Sequence, residues 1–158
     1  MPEATQPKPQ AQPAAAGFKD PYGAFNFKVV IQGVGEAGFT RCSPLGAERK
    51  AVEYRQGGDH QVVHQLPGRV KYPSVTLYYG LTASKELWLW VDLAMKGTPK
   101  RLNVSIVVLA QDGSTEAVRF NLNNAWPTSW CGAPLDALGN ETAIEQLTLV
   151  YETLERVL

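Results

Sequence analysis

The chain is poor in the side chains that most often carry chemistry. Its 158 residues include two cysteines, two histidines and two methionines. Two cysteines do not make a disulfide scaffold in a chain of this size. Cys42 and Cys131 could pair; singly they read as small buried or half-buried hydrophobes, and neither has the C-x-x-C spacing of a metal site. Neither sign of charge is in excess, with 15 Lys and Arg against 15 Asp and Glu. No global field therefore draws the chain to nucleic acid or to an anionic membrane surface. The adjacent basic pairs, Arg49-Lys50 and Lys100-Arg101, lack the interleaved aromatics of a nucleic-acid face. No run of about 18 apolar residues occurs, so no segment reads as a membrane helix. No apolar signal-peptide core stands near the start, which predicts synthesis and residence in the cytoplasm at the outset. The length fits one domain around one core, and no repeat of about 20–50 residues is visible.

What is present is strand-forming sequence punctuated by glycine and proline. Pro, Ala and Gln fill 12 of residues 1–16, which are expected to be a disordered tail ahead of a folded domain at 17–158. Alternation predicts strands at 24–32, 36–42, 47–55, 74–79, 101–110 and 115–122. Residues 56–71 read as a long loop, opened by Gly57-Gly58 and closed by Leu66-Pro67-Gly68. Leu87, Trp90, Val91, Ala94 and Met95 form one helical stripe, with Thr82 or Ser84 to cap it and Gly97 with Pro99 to stop it. Asp112-Gly113 marks a hairpin turn. Pro127 places 125–130 at an edge or a bulge. Residues 142–157 suit helix or strand, and their β-branched and aromatic content tilts them to strand. The whole is mainly β: about seven strands in an antiparallel barrel or sandwich, with one flanking helix.

Each candidate chemistry lacks a necessary part. Gly33-Val34-Gly35-Glu36-Ala37-Gly38 matches G-x-G-x-x-G after a strand, but Phe39–Pro44 carries β-formers and a proline where the pyrophosphate-binding helix must begin. His60 and His64 are four apart, yet Gln61 stands where a zinc protease has its glutamate. No G-x-S-x-G elbow or phosphate loop occurs. Glu48, Glu53 and Asp59 are not paired by any pattern as acid and base. The four tryptophans could cage a ligand, but core and interface packing is their commoner use. Trp90 falls in the helical stripe; Trp88 falls off it, where a subunit contact would explain it.

The ordered series of small motifs resembles the T4-type phage tail tube family, and most of all the inner tube subunits of extracellular contractile injection systems. It runs through Asp20-Pro21-Tyr22, Gly38-Phe39, Cys42-Ser43, Leu45 with Glu48, Gly57-Gly58, Leu66-Pro67-Gly68 and Gly80. It continues through the Trp-rich helix, Asn124-Ala125-Trp126-Pro127, Trp130, Asn140-Glu141, Ile144-Glu145 and Tyr151-Glu152. Pro44 departs from it, standing where glycine is expected. The resemblance implies a structural protein with no catalytic residues, cofactor or metal. It implies six-fold rings stacked into a hollow tube inside a sheath, which drives the tube through a target envelope. Implied partners are other copies of the chain, sheath subunits, baseplate and spike-hub proteins, a tube cap and lumenal cargo. Nucleic acid is not required and no membrane segment is involved. The particle would be assembled in a bacterial cytoplasm. On that view Gly57, Gly58, Asp59, His60, His64, Leu66, Pro67 and Gly68 make contacts between subunits or rings, and Trp88 makes a helix interface. Glu48, Lys50, Asn103, Ser105, Gln146 and Thr148 face the lumen. A minor subunit that starts or ends the tube has the same resemblance. A carbohydrate-binding sandwich using Trp126 and Trp130 is the reading from another class.

Overall fold

A computed structural model describes residues 20–58, 62–81, 83 and 85–158. The expected tail at 1–16 lies outside them. The described residues form β1 (Phe27–Ile31), β2 (Gly35–Ala37), β3 (Phe39–Cys42), β4 (Glu48–Tyr54), β5 (His64–Lys71), β6 (Val75–Gly80), α1 (Glu86–Met95), β7 (Leu102–Leu109), β8 (Glu116–Cys131), β9 (Ile144–Val150) and β10 (Thr153–Arg156). Strand periodicity sends alternate side chains to one core. Val29 and Ile31, Val75 and Leu77, Val104 and Ile106, and Leu147 and Leu149 pack there with Leu122. Each such side chain contributes roughly 1.5–3 kcal/mol by leaving water.

Eight of the strands make one sheet in the order β2-β1-β7-β8-β9-β6-β3, with β10 added against β8. The first and last strands of that path, β2 and β3, are consecutive in the chain and separated by Gly38 alone. The sheet therefore curls round into a barrel whose two end strands are brought together at Gly38 by the chain itself, without pairing to each other. The single strand expected over 36–42 is in fact these two strands, one pairing with β1 and the other with β6. The G-x-G-x-x-G run is the β1–β2 hairpin, where Gly33 and Gly35 take φ of 81° and 89°.

The strands expected at 115–122 and 125–130 are one strand of 16 residues. β8 pairs with β7 over its first part and with β9 beyond Trp126. The sheet bends where it changes partner. There Asn124 adopts φ of 54°, and the inward-facing residues shift from Leu122 to Ala125. A second irregularity lies between Pro127 and Ser129, in the part of β8 paired with β9 on one side only. Pro127 thus sits at both an edge and a bulge. Residues 142–157 resolve as strand, interrupted after Val150 into β9 and β10.

Helix α1 buries Leu87, Trp90 and Val91 and covers one end of the barrel, where Trp90 Nε1 donates to Lys100 O at 2.7 Å. Met95, expected in the buried stripe, is exposed because the helix terminates there. Gly97, at φ 88°, donates to Ala94 O while Thr98 N donates to Leu93 O, which closes the helix in a Schellman turn. The N-cap is Lys85, without a side-chain cap bond; Thr82 and Ser84 lie outside the described residues. The barrel's other end is open. A cavity of about 550 Å³ lies there, lined by Phe27, Arg41, Leu45, Ile106 and Phe120 among others.

Candidate functional site

The segment 64–71, expected to be loop, is strand β5. It pairs with β4 as a separate two-stranded sheet, from Glu48↔Lys71 to Tyr54↔His64. Pro67 and Gly68 misdirect the sequence reading because they usually break strands. In a two-stranded hairpin every strand has a free side, so proline's missing N–H costs nothing there. Between Arg49↔Val70 and Ala51↔Pro67 the chain advances two residues on β4 and three on β5. This β-bulge bends the hairpin. Gly68 is required in it: a Cβ there would lie 2.3 Å from Lys50 O.

This hairpin is an arm. Every residue of β4 is exposed, and β5 has one that is partly covered. Strand parity and register put Glu48, Lys50, Val52 and Tyr54 on one face with Leu66 and His64. Val52, Tyr54 and Leu66 are about half exposed there. A lone two-stranded hairpin about 25 Å long is marginal in water. Its root, by contrast, is fixed. Ser43 N donates to Thr76 O, Thr76 N donates to Ser43 Oγ, both at 2.8 Å, and Leu45 packs against the core. On the return side Tyr72 packs on Tyr151 with ring centroids 5.9 Å apart. Pro44, the departure from the family pattern, lies within this link.

At the helix-covered end an aromatic series ties the seam to α1. Phe39 meets Tyr79 edge-on at 5.7 Å, the Tyr79 hydroxyl accepts from Trp130 Nε1 at 3.1 Å, and Trp130 meets Trp88 at 4.8 Å. Burial, then a hydrogen bond with Glu145, pushes the Tyr79 phenol up to about 12. Trp126 and Trp130 lie four positions apart on β8, and Trp130 is occupied by Tyr79 and Trp88, so the tryptophans form no cage. Trp88 remains 46% exposed, beside exposed Leu89, Leu93 and Met95.

The other sequence-selected residues fall in separate places. Glu48 and Lys50 are on the arm. Asn103 and Ser105 face outward on β7, where Ser105 Oγ donates to Asn121 Oδ1 at 2.8 Å and Asn103 Oδ1 accepts from Asn124 N at 3.2 Å. Gln146 and Thr148 face outward on β9, opposite Cys131 and Ser129 respectively, with Thr148 Oγ1 3.2 Å from Thr76 Oγ1. The β7 and β9 pairs thus lie about 25 Å apart along β8. Gly57 and Gly58 form the turn beyond β4, while Asp59 and His60 lie outside the described residues. His64 is exposed at the start of β5. Among the described residues no group of three His, Cys, Asp or Glu could hold a metal, and no helix is long and apolar enough to cross a membrane. Cys42 and Cys131 do not pair. Cys42 aligns through Leu77 and Leu147 to Trp130, beside Cys131. That is three strand spacings, about 14 Å, beyond disulfide reach. Burial pushes the Cys42 thiol up to about 11.

Residues 23–155 match the family model of the T4-like virus tail tube protein gp19. The chain belongs to this family. Solved structures agree on the fold. A chain in the cryo-EM structure of the anti-feeding prophage cap, described as its tube terminating cap, matches with TM-score 0.81 and 26% identity over 90% of this chain and 94% of that one. A chain of the sheath/tube terminator of PVC, an extracellular contractile injection system, gives 0.80 and 23% over 89% and 99%. One of the PVC sheath-tube complex in its extended state gives 0.77 and 24% over 86% and 90%. The search of curated proteins returned no match. The tail tube fold is therefore the frame in which the arm is read.

Proposed function

We propose that this chain is a structural subunit of the inner tube of a contractile, phage-tail-like injection system. Copies close into rings, six to a ring as the resemblance implies, and rings stack into a hollow tube. The observation that carries this reading is the arm: a firmly rooted hairpin with an uncovered apolar face, standing off a barrel to whose core it contributes nothing. Such an element is completed by another copy of the chain. Family membership and neighbours described as tube, cap and sheath-tube complexes support the same reading. Sheath, baseplate and cap proteins are its further partners, lumenal cargo its occupant, and catalysis no part of its work. The arm, including Gly57, Gly58, Leu66, Pro67 and Gly68, joins subunits, and Trp88 with its exposed helix neighbours makes a lateral contact. Asn103 with Ser105, or Gln146 with Thr148, faces the lumen. The particle is assembled in a bacterial cytoplasm.

A tube-terminating subunit is the second reading, favoured by the match to the anti-feeding prophage cap structure. Light scattering on the purified full chain, with negative-stain microscopy, tests the proposal. Rings or tubes are expected. Replacing Glu48–Lys71 by a short glycine link should leave a folded barrel that does not assemble, because Glu48 and Lys71 face each other at the root. A wild-type chain that is monomeric at every concentration overturns the proposal, whereas single rings that never stack favour the terminating subunit.

A further inference from the structure

The cavity at the open end of the barrel has two walls. One is made by Phe27, Ile106, Val108 and Phe120 of β1, β7 and β8, the other by Cys42 and Leu45 at the end of β3 and just beyond it. The walls part because β1 and β3 do not pair with each other; β2 and Gly38 join them at one end only. Phe27 is the first residue of β1 and Cys42 the last of β3, the ends farthest from that joint. Phe27, Cys42, Leu45 and Phe120 pack against the core and yet stay only partly buried. About 550 Å³ between such walls is far more than a close-packed interior leaves open. Arg41 is the one charged residue among the described ones that line it, and its guanidinium is engaged 5.2 Å from the centroid of the Tyr78 ring. The cavity therefore suits an apolar occupant without a charge.

The chain itself arrives at this place. Leu109 N donates to Asn26 O at 2.8 Å and Asn26 Nδ2 donates to Ala110 O at 3.3 Å, which ties the segment before β1 to the end of β7. Asp20 and Tyr22 lie beside Ala110, and Ala24 touches the cavity. Val108, in the cavity wall, is two positions from Ala110, about 7 Å of extended chain. Phe18 stands two positions ahead of Asp20 and can span the same distance. It is the one aromatic residue of 1–19, and residues 13–18 carry no charge. The family match begins at residue 23, so the family pattern does not account for this segment.

We propose that the cavity is the seat of the chain's own N-terminal segment. Phe18 enters between Phe27, Leu45 and Phe120 and completes the core of its own subunit. A ring of this size brings more apolar area than any other residue of 1–19 could. A second copy or a free apolar molecule has to come from solution, whereas five residues join Phe18 to Ala24 and hold it at an effective concentration on the order of millimolar. The inference concerns the single subunit and does not rest on the tube reading.

Cys42 lines the cavity and Cys131 is exposed elsewhere, so the chain carries its own reporter and its own reference. In the full chain, at dilutions where light scattering gives a monomer, maleimide should label Cys131 readily and Cys42 slowly. Phe18→Asp should speed Cys42 labelling at least tenfold and leave both Cys131 labelling and the circular dichroism spectrum unchanged, while Phe18→Leu should keep Cys42 slow. A disulfide trap needs no comparison of rates: Phe18→Cys in a Cys131→Ser chain, mildly oxidised, should link to Cys42 within one chain and leave a denatured monomer without free thiols. Equal Cys42 rates in the wild-type and Phe18→Asp chains overturn the inference. So does a trap that links two chains, which would seat a second copy in the cavity, and so does one that never engages Cys42. Both readouts stand whether or not tubes form.

Discussion

Asn124 is the residue on which the barrel turns. Its φ of 54° is a conformation that costs most side chains roughly 1–2 kcal/mol. Asparagine tolerates it, and here its amide Nδ2 also donates to Glu152 Oε2 at 2.8 Å while Arg101 pairs with the same carboxylate. Asn124→Gly should therefore cost little, whereas Asn124→Val should lower unfolding free energy by about 2 kcal/mol or more, since a β-branched residue fits left-handed backbone poorly. Urea denaturation of the two variants checks this. Asp112 shows the same economy in the β7–β8 hairpin. Its carboxylate accepts from Ser114 N and Thr115 N, each at 3.0 Å, and from the Thr115 hydroxyl. These bonds, the Thr115 hydroxyl foremost, lower its pKa from the ordinary 3.8 to about 2. The group is depressed in the folded state, so its contribution is complete above the unfolded value and fades as pH falls through the folded one. Carboxyl NMR should place the Asp112 titration near 2, and Thr115→Ala should move it upward; a midpoint near 3.8 in the unmodified protein would show that the turn does not hold the charge.

Among the elements, the arm is where local stability and assembly come apart. Gly68→Ala forces a Cβ against Lys50 O, so the bulge and the register beyond it must shift. Because β4 and β5 contribute nothing to the core, the melting temperature should change by less than about 3 °C, while tube formation falls sharply. Calorimetry paired with microscopy separates the two; a large loss of Tm would mean the arm supports the barrel. The element also shows what the sequence could and could not tell. Alternation in β1, β6 and β7 and the stripe of Leu87, Trp90 and Val91 were legible because each follows the period of its own structure. β5 was not, since Pro67 and Gly68 are punctuation in a paired sheet but permitted in a free hairpin. The length of β8 was hidden by Asn124 and Pro127, which mark irregularities inside a strand and read as its ends.

For the molecule as a whole, the single residue between β2 and β3 has a consequence in time. The sheet path begins at one of these strands and ends at the other, with β9 lodged between β8 and β6. Most of that path is made of distant pairings, Phe27 with Val108 and Val75 with Leu149, and such contacts form slowly because a long loop must close first. The arm pairs with its own neighbour in sequence and can form early. A copy can therefore display its arm before its barrel is complete, so the order in which the strands pair decides when a copy is fit to join another.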